Sequence, residues 1–155
     1  IGEITLKADW VTSGYFEDTQ LTKTSFINNY FRTGDQGYLQ DGYLYLTGRF
    51  KEIINVGGKK VSPYRIEKLM NDCDFVKESA CAGFPDKHVG EVVHAFVVLN
   101  PGVQNKADDA TTQLKDIIAA ILPVYMRPDQ YHFVESLPKT STGKIQRIKL
   151  IAALG

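Results

Sequence analysis

The sequence is poor in the residues that staple a fold or ligate a metal. Of its 155 residues only two are cysteine, one is tryptophan and three are histidine. Cys73 and Cys81 lie eight positions apart, with no CxxC and no histidine at metal-ligand spacing, which excludes a zinc module. They read as buried thiols of a reducing compartment, with a disulfide as the alternative. His88, His94 and His132 are scattered, and His94 sits in the apolar run Val92-Val93-His94-Ala95-Phe96, where a packed strand position is expected rather than a catalytic one. Charge of one sign is missing too. The 18 basic and 18 acidic side chains cancel, which argues against a dedicated binder of nucleic acid or of an anionic membrane. The longest apolar runs, Ala95 to Leu99 and Ile117 to Leu122, fall far short of the roughly 20 residues that span a bilayer. What remains is 43% hydrophobic and 23% charged, values of a globular chain long enough to bury its own core.

The zero balance hides an asymmetry. Residues 1–50 carry four basic and six acidic groups, whereas from Ser136 onward there are four basic groups and no acidic one. Composition changes as well. The first fifty residues are rich in Gly, Tyr, Thr and Asp, with turn dipeptides at Ser13-Gly14 and Asp41-Gly42 and strand-like pieces at Glu3 to Leu6 and Tyr43 to Thr47. They read as β material. After Arg49, strand and helix signals alternate. Glu52 to Val56 and Lys59 to Ser62 flank Gly57-Gly58 as a hairpin with a positive-φ turn. Ser62-Pro63 opens a helix with Ile66, Leu69 and Met70 on one face. Strands are expected at Ser79 to Phe84, Val92 to Leu99 and Tyr131 to Val134. Leu114, Ile117, Ile118 and Ile121 keep helical spacing until Pro123, and a last helix is expected over Ile145 to Leu154. The chain therefore reads as α+β: a β-rich edge over 1–50, then a compact domain over 51–155 with a β-hairpin and a short mixed sheet flanked by helices. It starts at Ile1 rather than Met, so a piece of a longer protein is expected.

Three segments carry chemistry: Tyr30-Phe31-Arg32-Thr33-Gly34-Asp35, Thr47-Gly48-Arg49-Phe50-Lys51-Glu52-Ile53-Ile54, and Pro138-Lys139-Thr140-Ser141-Thr142-Gly143-Lys144-Ile145-Gln146-Arg147. Singly each has a plain reading, since a Gly-Asp pair is usually a turn and a lysine ahead of a helix is usually solvated. Thr142-Gly143-Lys144 is not a P-loop. That motif needs glycine at 138, which is Pro138, and Ser or Thr at 145, which is Ile145.

Taken in order, these segments resemble the C-terminal part of the adenylate-forming enzymes, the superfamily of acyl-CoA synthetases, peptide-synthetase adenylation domains and luciferases. Gly2-Glu3-Ile4 with Gly14-Tyr15, and Gly83-Phe84-Pro85-Asp86 with Gly90-Glu91, are similar to two further motifs of that family. The resemblance implies a reaction in which a carboxylate attacks ATP, releases pyrophosphate, and passes its acyl group from AMP to a thiol. Two anions must meet in the first step, so a mobile cation between them is needed. Lys144 matches the catalytic lysine, a compact charge on a long stem. Asp35 matches the carboxylate that accepts from both ribose hydroxyls, and Arg49 the arginine that contacts the nucleotide. Lys51 aligns with the hinge on which the small domain turns between half-reactions; an exposed lysine at a strand start is the plain alternative. Gly57 and Gly58 resemble the turn that lies along the pantetheine arm of CoA. Lys59 and Lys60 are weighed as solvated hairpin charges rather than CoA phosphate contacts.

Lys51, Val61-Ser62-Pro63 and Ser141 to Arg147 look most like an acyl-CoA synthetase. Adenylation for peptide or siderophore assembly is the alternative within the superfamily, and a stand-alone binding module the one outside it. The resemblance implies ATP and CoA as substrates, Mg²⁺ held by a large N-terminal domain, a carboxylic acid partner, and a cytoplasmic setting such as fatty acid metabolism. No metal ligands, nucleic acid partner or membrane span are expected in these residues, and the fragment alone should not turn over. One departure stands out. The family usually has Glu where this chain has Arg65, at the third position of the Ser62-capped helix, where Glu would complete a capping box. Arg65 either meets an external anion or acidic partner or is neutral drift.

Overall fold

The computed structural model describes residues 1–102 and 107–154. The chain divides into two compact units, Ile1–Lys51 and Glu52–Gly155. In the first, β1 (Gly2–Leu6), β2 (Phe26–Ile27), β3 (Tyr30–Gln40) and β4 (Tyr43–Arg49) form an antiparallel sheet in which β3 pairs with each of the others. The β3–β4 hairpin turns through Asp41 (φ 51°) and Gly42 (φ 81°), the double positive φ of a two-residue loop. Tyr38 and Tyr45 stack across it with ring centroids 5.1 Å apart.

One element departs from the expected β material. Thr19–Ser25 forms helix α1. Three threonines in seven residues are poor helix formers, yet Asp18 caps the start by accepting from the Leu21 N–H at 2.8 Å. The Thr22 hydroxyl then donates back to the Asp18 carbonyl at 2.8 Å, so the side chains satisfy the helix end locally. The tight turn ahead of the helix uses Glu17, with φ 54°, rather than Ser13-Gly14.

The second unit is a mixed five-stranded sheet with helices on both faces. The 3₁₀ turn Phe50–Glu52 leads into the hairpin of β5 (Ile54–Val56) and β6 (Lys59–Val61), so the first strand starts two residues later than expected. Helix α2 (Pro63–Asn71) follows, then β7 (Val76–Asp86) and β8 (Gly90–Leu99), which pair along their whole length. Helix α3 (Ala107–Ile121) ends before Pro123. Strand β9 (Gln130–Phe133) then runs parallel to β8, and α4 (Arg147–Ala152) closes the chain, shorter at both ends than expected.

Side-chain alternation sorts the central strands into two cores. Cys81, Val93, Ala95, Val97 and Leu99 face Ile66 and Met70 of α2 and Leu114 and Ile118 of α3. Ala80, Ala82, Phe96 and Val98 face the other way, against Leu137 and Leu150. A strand buried on both faces needs no polar alternation, which is why residues 95–99 are uniformly apolar.

At the start of α2, the Arg65 N–H closes the first turn by donating to the Ser62 carbonyl at 3.3 Å, rather than to its hydroxyl. No acidic residue occupies that turn, and Arg65 is exposed. Its charge opposes the positive end of the helix dipole, so Arg65→Glu is expected to stabilise the second unit by about 0.5 kcal/mol. A lower thermal midpoint for the variant would refute the dipole argument.

Candidate functional site

In the first unit the motif residues meet across one strand pair. Asp35 on β3 lies directly opposite Arg49 on β4, and the Arg49 Nε donates to Asp35 Oδ1 at 2.6 Å. Both side chains remain partly open to solvent. A partly exposed carboxylate oriented by an arginine at one oxygen suits a hydroxyl-bearing ligand.

Strand β1 builds the loop beneath them. Glu3 Oε2 accepts from Arg32 Nε at 2.9 Å and Nη2 at 2.7 Å, while its Oε1 accepts from the Gly34 N–H at 3.2 Å. The Thr33 hydroxyl donates to the Ile4 carbonyl at 2.8 Å and accepts from the Asp35 N–H at 3.0 Å. Gly34 takes φ 73°, a conformation costly for other residues. Glu3 and Arg32 thus hold Thr33-Gly34-Asp35 in place. Sequence reasoning marked Gly2-Glu3-Ile4 without seeing this job. An open cleft of about 820 Å³ in this unit is lined by Lys7, Asp9, Thr22 and Asn29, away from Asp35 and Arg49.

In the second unit, Lys144 stands on a loop tied at both ends. Thr140 N–H donates to the Lys144 carbonyl at 2.8 Å, Gly143 N–H to the Thr140 carbonyl at 2.9 Å, and Gln146 N–H to the Pro138 carbonyl at 2.8 Å. The Thr140 hydroxyl accepts from the Lys144 N–H at 3.1 Å and bonds the Thr142 hydroxyl at 2.8 Å. Gly143 (φ 80°) permits the turn. The neighbouring cations are engaged: Lys139 pairs with Glu78, and Arg147 with Glu52 and Glu67. Lys144 is exposed and makes no ion pair with any described residue. Its charge is available.

Behind that loop lies a buried polar cluster. Glu67 of α2 is only 8% exposed. Its Oε1 accepts from the Cys81 N–H at 2.7 Å and from Arg147 Nη2 at 2.8 Å. Burial raises the Glu67 pKa, and the Arg147 guanidinium opposes that rise. Cys81 is a free, buried thiol whose pKa burial pushes well up; Cys73, also free, is only partly buried. Neither Glu67 nor the anchoring part of Arg147 was marked by the sequence, because a glutamate in a helix is ordinarily a solvated one.

Gly57 and Gly58 turn the β5–β6 hairpin with φ of 55° and 77°. A Cβ at either would meet nothing within 4 Å, so backbone conformation, and not a crowded approach, is what requires glycine there within this chain. Lys59 lies over the Tyr125 ring with its Nζ 4.4 Å from the centroid, so it is not a freely solvated charge. Lys60 is exposed. Lys51 is exposed in the 3₁₀ turn and is the last residue of the first unit.

The scattered histidines are not all apart. His94 on β8 is buried, stacks on Phe84 at 4.1 Å, and has its Nδ1 3.2 Å from His132 Nε2 on β9. Burial holds both pKa values below the ordinary imidazole value, and the charge of His132 lowers His94 further while Asp129 opposes. A depressed pKa means that the unfolded chain binds protons first. Stability is then full above about pH 6.5, the ordinary imidazole value, and declines as the pH falls below it. Thermal melting against pH should show this acid slope, and His132→Gln should flatten it. An unchanged slope would exclude the pair as its source. Among the described residues, no group of three or more His, Cys, Asp or Glu side chains is placed to hold a metal ion.

Residues 65–144 match the model of the family described as AMP-binding enzyme C-terminal domain. The oxalate–CoA ligase of Saccharomyces cerevisiae is 41% identical over 150 residues, which are 95% of this chain and 27% of that protein. The o-succinylbenzoate CoA synthetase of Bacillus subtilis, solved with its acyl-adenylate intermediate, superposes with a TM-score of 0.85 at 31% identity, over 96% of this chain and 30% of that one. The amide bond synthetase McbA of Marinactinospora thermotolerans superposes with a TM-score of 0.89 at 30% identity, over 99% of this chain and 31% of that one. The chain therefore spans under a third of the length of these relatives.

Proposed function

The chain belongs to the AMP-binding enzyme C-terminal domain family, and from that membership we propose that it is the C-terminal part of an AMP-forming acyl-CoA synthetase. In this reading residues 1–50 are the β-rich edge of a large adenylation domain and 51–155 its mobile lid. The carboxylate of an acid attacks the α-phosphorus of ATP and pyrophosphate leaves. The thiol of CoA then attacks the acyl-adenylate carbonyl, and AMP leaves.

The observation that carries the reading is Lys144. It is a free cation on a rigidly tied loop whose other cations are already paired. Two negatively charged reactants cannot approach without such a charge, and a loop fixed in advance supplies it without reorganising at the moment of reaction. In the first unit, Asp35 would take the ribose hydroxyls and Arg49, which already orients Asp35, would face the nucleotide. Lys51 would be the pivot of the second unit between half-reactions, and Gly57-Gly58 would lie beside the pantetheine arm. Among the described residues no group of three or more His, Cys, Asp or Glu side chains is placed to hold a metal ion, and in this reading Mg²⁺ would be held by the large domain. A cytoplasmic setting belongs to the same proposal; no described helix is long and apolar enough to cross a membrane.

The test is acid-dependent exchange of labelled pyrophosphate into ATP by the full-length enzyme, over a panel of fatty, dicarboxylic and aromatic acids, followed by CoA consumption. Exchange with at least one acid and thioester formation with CoA are expected. Absence of exchange with every acid would overturn the proposal.

A further inference from the structure

Arg147 begins α4, three residues after Lys144, and its guanidinium gathers three separate elements. Nε donates to the Cys81 carbonyl of β7 at 3.1 Å. Nη2 donates to both oxygens of Glu67 on α2, at 2.8 and 3.1 Å. Nη1 lies 3.0 Å from Glu52 Oε1, in the turn immediately after Lys51. A side chain that only pinned α4 to the sheet would be satisfied by Cys81 and Glu67. The bond to Glu52 serves no packing purpose for α4, and it joins the lysine loop to the first residue of the second unit.

Resting on the assignment of Lys144 above, we propose that Arg147 is the positioning residue for Lys144, and that Glu52 clasps it to the pivot turn. The loop from Pro138 to Gln146 closes on itself through its own hydrogen bonds. It is therefore stiff internally but needs a fixed base. Arg147 is that base: its fork meets the middle of β7, the inner face of α2 and the pivot turn at once. A turn of the chain at Lys51 then moves Glu52, Arg147 and Lys144 as one body. The lysine arrives at the reacting oxygens already aimed, and misplacement by about 1 Å would cost on the order of 100-fold in rate.

The test uses the full-length enzyme with Arg147→Lys, which keeps the charge but loses the fork, and Glu52→Ala, which removes only the clasp. For Arg147→Lys, kcat of acid-dependent pyrophosphate exchange should fall by about 100-fold, and for Glu52→Ala by about 10-fold. The KM for ATP and thioester formation from supplied acyl-adenylate should hold at the unsubstituted values. Hydrogen exchange at the Gly143, Lys144 and Gln146 amides should quicken in both, and in Glu52→Ala, which leaves the Cys81 and Glu67 contacts in place, β7 and β8 should be unchanged. Equal loss in both half-reactions, or loop amides that exchange at the unsubstituted rate, would overturn the inference. If Arg147→Lys does not fold, Glu52→Ala decides. Lys144→Ala separates the two levels. If it leaves pyrophosphate exchange intact, the reading of Lys144 fails and this inference with it. If it stops exchange while Glu52→Ala and Arg147→Lys do not slow it, only the positioning role fails.

Discussion

On the proposed function, Lys144→Ala in the full-length protein should lower the rate of acyl-adenylate formation by about 10²–10³-fold, the range seen when one preorganised charge-stabilising donor is removed. Thioester formation from supplied acyl-adenylate should stay near the unsubstituted rate. The asymmetry follows from where charge develops. Adenylation brings a carboxylate onto a polyphosphate, whereas in the second step a thiol attacks a carbonyl already activated by AMP. Lys139→Ala is the matched control, since Lys139 is engaged by Glu78. Single-turnover measurements of the two half-reactions decide the matter, and equal losses in both would remove Lys144 from its role. Lys144→Arg should recover little, because a planar guanidinium is wider than a compact ammonium and cannot take its place as a point charge.

The second large effect is on stability. Arg147→Ala leaves the Glu67 carboxylate in its buried seat with the Cys81 N–H as its remaining strong partner. Breaking a buried pair from one side typically costs about 3–5 kcal/mol, and that loss is expected in urea unfolding of the chain near pH 8. The pH dependence has a definite sign. Glu67 already has a raised pKa from burial, and without Arg147 it rises further. An acid whose folded pKa is raised favours the folded state at low pH, so the defect should shrink as the pH falls toward 5. The double variant Arg147→Met with Glu67→Leu should regain most of the loss, since replacing both partners leaves no buried charge. A double variant as unstable as Arg147→Ala would show that packing, not charge, is what Arg147 contributes.

Some of this molecule was written locally and some was not. Asp41-Gly42 and Gly57-Gly58 announce their hairpins because a two-residue turn demands positive φ from residues that tolerate it. Pro63 opens α2, and the spacing of Leu114, Ile117, Ile118 and Ile121 marks α3. Helix α1 was missed because threonine is a weak helix former and the deciding bond runs from Leu21 to Asp18. Cys73 was expected buried and is only partly so, since burial depends on what neighbouring chain happens to cover.

The candidate residues Asp35, Arg49, Lys51, Gly57, Gly58 and Lys144 all lie in motifs readable in one dimension, because turn glycines and reactive side chains sit in short contiguous loops. Their supports do not. Glu3 reaches Gly34 across 31 positions, Glu67 reaches Arg147 across 80, and His94 reaches His132 across 38. The sequence by itself determined most of the kinds of element, the two glycine hairpin turns and the loop that offers a lysine, since those depend on backbone preferences within a few residues. Only the tertiary structure decided which carboxylates hold Arg32, Lys139 and Arg147, and so left Lys144 on its loop without an ion pair to any described residue. Pairing is settled by distance in space, and the same charges on the string of residues are compatible with many partners.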